Sequence, residues 1–444
     1  MADPATEYWT FRPSYPIRES WEWSTQVLRC RSRTQRIARR ALPRMIIQHE
    51  YVMEREDAYR AALIAANQQK VFLPLWQDGF RGKRSDLLDT PDHAIPAGDN
   101  SIYTQSLASL RFEVDKPLMI EDDDEYYEIR TAGFISWIES NAHINLSSGL
   151  TRDFANAVLT PLVEASVDFQ ITKQSGRYVT AKAVFVSTDS PAMTLGTLDQ
   201  IAGPVFDTYR DETLINRRSA APSKDRHWTE FDVIDNKVGT FEKYRKFDYE
   251  ASKAEVDWFI LQYEDLARIK VWLQGTRGKQ KGFWVPTFNS DIVPVSGLGG
   301  SVITIQYCGY AKYQETGHIV MIDQAGAYHA REVLASVELS DTEEQLQLDS
   351  ALPANPVDVI SQLRWMRFDT DKIELNFGSP GIGFDITDPM LASATVRAPI
   401  VEDVPGHEIQ VAEPVGQDDE LPRPRRKRTR KRTDFLLHIH RSGW

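Results

Sequence analysis

The spacing of apolar positions along this chain switches between two periods, and each switch marks an element. Residues 177–186 and Lys372–Phe377 alternate apolar and polar side chains with a period of two, as a half-buried strand does. Residues 71–76 and 282–288 are short apolar runs with aromatics and proline, which read as strands bounded by turns. Residues 302–307, 118–120 and 319–322 read the same way, with 127–129 and 332–335 continuing them after turns. Helical spacing occurs twice. Over residues 54–67, Tyr59, Ala62, Leu63 and Ala66 fall on one face; over 254–274, Trp258, Leu261, Asp265, Ile269 and Trp272 do so, with Asp265 the polar exception. The pattern predicts a mainly β fold with a few helices (α+β), in which each sizeable helix is followed by a run of strands.

These elements recur in the same order. Met119-Ile120 precedes an acidic turn and Tyr126, and Met321-Ile322 precedes a short turn and Tyr328; both landmarks are 202 residues apart (321 minus 119, 328 minus 126). The same offset joins Leu146-Ser147-Ser148-Gly149-Leu150 to Leu348-Asp349-Ser350-Ala351-Leu352. Phe72-Leu73-Pro74-Leu75-Trp76 has its counterpart in the run from Phe283 to Phe288, at an offset of 211 (283 minus 72). Strand pairs at 21–28 and 228–234 and the stretches 29–40 and 239–247 precede the helices. The organisation predicted is an extended arm at 1–20, a β-rich copy at 21–187, a linker at 188–226, a second copy at 227–384, and a tail at 385–444 that is acidic and then basic. The arm carries Trp9 and Phe11, which pack either on a neighbouring molecule or back on their own domain.

Composition narrows the function. At 444 residues the chain exceeds one hydrophobic core. Two cysteines, Cys30 and Cys308, are too few for a disulfide framework or a zinc knuckle. A net charge of −12 argues against nucleic acid held by a global field. No signal-peptide core and no apolar run of transmembrane length is present, so no membrane partner is expected.

The search for chemistry returns no catalytic, cofactor-binding or metal-ligating set. Glu121-Asp122-Asp123-Asp124-Glu125 is the densest acidic cluster, but it lacks EF-hand spacing and reads as a hairpin turn. The nine histidines do not cluster at ligand spacing. Gly275-Thr276-Arg277-Gly278-Lys279 follows a helix instead of preceding one, so it reads as a C-cap and not as a phosphate loop. The basic run at 423–432, with Arg425, Arg426 and Arg428, has three readings: nucleic-acid phosphates, a targeting signal, or an acidic surface of the assembly, of which the acidic body favours the third.

The stretch Phe283-Trp284-Val285-Pro286-Thr287-Phe288-Asn289-Ser290-Asp291, after the basic turn at 275–281, resembles a segment of structural tail proteins of tailed bacteriophages. The resemblance implies two tandem copies of a helix-flanked antiparallel β-sandwich or barrel like phage tail-tube domains. It further implies a virion structural protein of the tail-tip, baseplate-hub or distal-tail type, without enzyme activity, made in the bacterial cytoplasm. Its partners would be itself, in a trimeric or hexameric ring, and other tail proteins. The interface candidates are Trp9, Phe11, Trp21, Arg425, Arg426, Arg428, Phe435 and Trp444, because aromatic and arginine anchors dominate contact energetics. The alternatives are a carbohydrate- or peptidoglycan-active enzyme with two β domains, and a nucleic-acid adaptor acting through the basic run.

Overall fold

The computed structural model describes residues 7–29, 34–40, 42–82, 94–105, 112–122, 126–138, 141–188, 206–219, 226–228, 231–235, 241–245, 251–314, 316–378 and 391–403. The first half runs β1 (Glu7–Tyr8), β2 (Ser14–Glu22), β3 and β4 (Thr25–Arg29, Thr34–Ala38), β5 (Arg44–Glu54), α1 (Arg55–Asn67), β6 (Val71–Pro74), β7 (Phe80–Arg81), β8 (Ser101–Gln105), β9 (Pro117–Glu121), β10 (Tyr127–Ile138), β11 (Asn141–Leu146), β12 (Val158–Ser175) and β13 (Tyr178–Ser187). The second half runs β14 (Asp207–Tyr209), β15 (Glu212–Leu214), β16 (Arg226–Trp228), β17 and β18 (Phe231–Asp235, Phe241–Arg245), β19 (Ala251–Gln262), α2 (Tyr263–Thr276), β20 (Gly282–Pro286), β21 (Pro294–Ser296), β22 (Val302–Gln306), α3 (Tyr310–Tyr313), β23 (Gly317–Asp323), β24 (Tyr328–Ser340), β25 (Glu343–Leu348), β26 (Val357–Phe368), β27 (Lys372–Phe377) and β28 (Leu391–Glu402). The fold is therefore mainly β with few helices, as the periodicity predicts.

One antiparallel ladder crosses both halves in the order β6, β12, β13, β5, β2, β27, β28, β19, β16. The strands form where the period is two. In β5, Met45, Ile47, His49, Tyr51 and Met53 point inward and are buried, while Val52 between them is exposed. Helix α1 begins where extended Glu54 ends β5, and Glu56 and Asp57 in its first turn face the positive end of its dipole. The largest core cluster reaches from Trp9 through Tyr51, Phe185, Trp258 and Phe283 to Ile400, with smaller clusters around Ile303, Met321 and Leu346 and around Trp284, Leu363 and Trp365.

Several sequence expectations change. The helix expected over 254–274 is a strand up to Gln262: Val256, Trp258 and Ile260 are buried while Phe259 and Leu261 are exposed, a period of two. Residues 14–20, expected within an arm, lie in the central strand β2. Residues 391–402, expected as tail, form β28 between β19 and the β26–β27 edge. The expected linker contributes β14 and β15, and β15 pairs in parallel with β20.

The core of the first half contains a buried polar chain. Trp9 donates its indole N–H to the Tyr51 hydroxyl (2.9 Å), which lies 2.8 Å from His49 Nδ1. The Tyr51 hydroxyl and Nδ1 share a hydrogen bond whose direction is set by the imidazole tautomer. Burial pushes the His49 imidazole down to about 3 from its ordinary 6.5. Between those values the unfolded chain binds a proton that the folded chain does not, so stability falls as pH drops through this window. A loss of about 2 kcal/mol between pH 6.5 and 5 is expected in urea titrations. His49→Gln keeps a hydrogen-bond partner for Tyr51 and is expected to flatten this slope; an unchanged slope would assign it to another group.

Candidate assembly interface

A set of non-local polar contacts joins the two halves of the chain at a seam. β2 of the first half lies between β5 and β27, and its register against β27 runs from Ile17 opposite Phe377 to Glu22 opposite Lys372. Behind this ladder lies a charge cluster with no solvent exposure. Lys270 of α2 reaches Asp78 Oδ1 at 3.0 Å and Glu19 Oε2 at 3.3 Å, both from the first half. Glu19 also accepts from the Trp21 indole (2.6 Å) and from Gln77 (3.0 Å), while the ammonium sits 5.1 Å from the Phe377 ring centroid. Buried charges persist only when paired and hydrogen-bonded in this way.

The β3–β4 hairpin ties the same seam from its other side. Thr25 donates its amide and hydroxyl to Asp371 (2.8 and 2.7 Å), and the Trp23 amide donates to the Asp371 carbonyl (2.9 Å). Arg36 of β4 pairs with Asp403 at 2.5 Å, and Asp403 also receives Arg367 at 3.2 Å.

The two helices differ in how they are covered. α2 is buried on several sides: Ala267, Lys270, Val271 and Gln274 are all buried together with Leu266, Ile269 and Leu273. α1 buries only Ala58, Ala61 and Ile64, leaving Tyr59 at 55% and Leu63 at 61% exposure. The apolar stripe legible in the sequence of α1 is thus its outward face.

The expected anchors separate accordingly. Trp9 and Trp21 have no exposed surface, so as placed here neither is presented to a neighbour. Trp9 is enclosed by Phe11, Tyr51, Phe169 and Phe185, and Trp21 by Trp23 and the strands beside β2. Phe11 is half-buried against the same core, with Arg60 over its ring. Arg425, Arg426, Arg428, Phe435 and Trp444 lie outside the described residues. Sequence reasoning missed Glu19, Asp78 and Lys270. The available signal was a lysine flanked by Ile269 and Val271 on a helix with an apolar core face.

Elsewhere, an apolar cleft lies between β19, β20 and residues 215–219, lined by Val256, Trp258, Val285 and Phe288. Among the described residues its one carboxylate is Glu255, and its Arg217 pairs with Asp265. No group of three or more metal-ligating side chains occurs among the described residues. No helix among them is long and apolar enough to cross a membrane. Asp122, at the start of the acidic turn, accepts the amides of Ala155 and Asn156 at 2.9 and 3.0 Å. The chain matches no protein-family model and no curated protein.

Proposed function

We propose that this chain is a virion structural protein of a tailed bacteriophage. In this reading its halves are tandem copies of one helix-flanked antiparallel β domain, and copies of the chain pack as a ring in the tail tip or baseplate that joins the tail tube to distal tail components. The observation that supports the reading best is a set of hydrogen bonds that recur at matching places in the two halves. Trp9 N–H donates to Phe72 O, and Ile215 N–H to Trp284 O, both at 2.8 Å. Asp122 N–H donates to Tyr126 O, and Asp323 N–H to Ala327 O. Arg130 binds the carbonyls of Ile129 and Gly149; Arg331 binds those of Ala330 and Ala351. β10 shifts register against β11 between Ala132 and Phe134, and β24 against β25 between Val333 and Ala335.

These matches refine the sequence offset. Ile120 opposes Leu159 as Met321 opposes Ile360, so Met119 corresponds to Val320, one residue from the match read in the sequence. Leu146 corresponds to Leu348 as the sequence suggests, since each donates to a carbonyl at 2.7 Å (Asn100 and Ser301). A duplicated domain joined edge to edge within one chain supplies the repeated surface from which closed symmetry is built. The partners in this reading are further copies of the chain and other tail proteins, and the location is the virion tail.

Negative-stain images of the purified protein are expected to show closed rings with a central opening, and mixing with purified tail tubes is expected to leave rings at tube ends. Monomers that leave tube ends bare would overturn the proposal.

A further inference from the structure

Among the described residues, the seam inside the chain has a counterpart that no strand fills, and we infer that a second copy of this chain fills it. In that junction, β16 of one copy adds to the open edge of β12 in the next, and the exposed face of α1 is covered in the same step. The inference rests on the ring reading above and deepens it by naming the joining surfaces.

In the second half, β26 and β27 run consecutively along β28, as the single long strand β12 runs along β13. Matching the β13 and β28 ladders places Phe169 where Ile373 lies and Ile171 where Leu375 lies. Ile373 and Leu375 are fully buried because β2 covers that edge. Phe169 and Ile171 are only half-buried, and among the described residues no strand pairs with the free side of β12 beyond Ala165. At the other end, β16 pairs with β19 as β2 pairs with β5, His227 standing where Trp21 does. β2 has β27 on its second side, whereas among the described residues β16 has no second neighbour.

The helices give the same answer independently. β5 and β19 lead directly into α1 and α2, and the buried faces match, Ala58 with Leu266 and Ala61 with Ile269. In that register exposed Tyr59 and Leu63 correspond to Ala267 and Val271, which are 1% and 8% exposed on α2, the helix whose Lys270 reaches Glu19 and Asp78 of the first half. Ala62 stands where Lys270 does, so the outer seam lacks the cation of the inner one. An open strand edge beside an exposed apolar helix face is a template for strand addition. The contact is head-to-tail, so it propagates until the ring closes.

The transferred register sets Arg226 opposite Gln170, as Ser20 lies opposite Glu374. The test uses the full chain with Cys30→Ser and Cys308→Ser. Gln170→Cys with Arg226→Cys is expected to give a ladder of covalent oligomers on mild oxidation, and neither single cysteine is expected to give it. Tyr59→Glu with Leu63→Glu, at exposed positions, is expected to weaken self-association about 100-fold by light scattering, with unchanged circular dichroism. Wild-type protein that stays monomeric at all concentrations overturns both this inference and the ring reading. Rings that form normally with the helix variant, or without the cross-link ladder, overturn this seam alone.

Discussion

Lys270→Met is expected to cost about 3–5 kcal/mol of folding stability, because it removes the ammonium that faces two buried carboxylates. Glu19 and Asp78 have no solvent exposure, so water cannot replace the ammonium that lies 3.3 and 3.0 Å from them. Against the ~5–15 kcal/mol that folded chains possess, this is about a fifth or more of the total. The loss is to be read from urea midpoints at fixed protein concentration. Because Lys270 belongs to one half and both carboxylates to the other, the variant is also expected to separate unfolding into two transitions, where the wild type shows one. Adding Glu19→Gln and Asp78→Asn removes the carboxylate charges and is expected to recover much of the loss, since a buried ionic cluster often contributes little relative to neutral groups of similar shape. A Lys270→Met midpoint within 0.5 kcal/mol of wild type, on the scale of ordinary surface substitutions, would mean that the cluster is hydrated.

Much of the fold is legible in the sequence where one local signal dominates. The alternation in β13 and β27 places strands, and the spacing of α1 places a helix within a residue of its true start. What tertiary context decides is not legible. Residues 254–262 carry Val256, Trp258, Phe259, Ile260 and Leu261, a run dense enough to satisfy helical and strand periods together. The chain resolves the ambiguity through pairing of β19 with β28, a strand about 140 residues distant in sequence. The apolar stripe of α1 is read correctly as a stripe, but an amphipathic pattern does not say which side meets the chain's own core. Here alanines at 58 and 61 do so, and Tyr59 and Leu63 face outward. Trp9 and Trp21 show the converse: aromatics in a proline-bearing N-terminal segment suggest an interface, yet Trp9 is buried among Phe11, Tyr51, Phe169 and Phe185, and Trp21 is buried within the central strand β2.

A chain ending at Met390 is expected to lose its folded second half, whereas one ending at Val411 is expected to keep it. The segment between includes β28, which the sequence disguises: its buried face is built partly from Ala394 and Ala398, and Pro399 breaks the donor series that a central strand ordinarily needs. The ladder tolerates this proline, whose carbonyl accepts the Asp369 amide at 2.9 Å. β28 pairs with β19 from Lys253 to Gln262 on one side and with β26 and β27 on the other. Without it, Val256, Trp258 and Ile260 lose the strand beside them, and two long edges open that pair readily with other chains. β27 would then be held only by β2, so the damage reaches the seam and, through Lys270, the first half. The shorter chain is therefore expected to aggregate and to show no cooperative calorimetric transition, while the longer one melts as the full chain does. A cooperative transition and native near-ultraviolet dichroism from the shorter chain would remove β28 from the fold's framework, and with it the match between β28 and β13 on which the ring register depends.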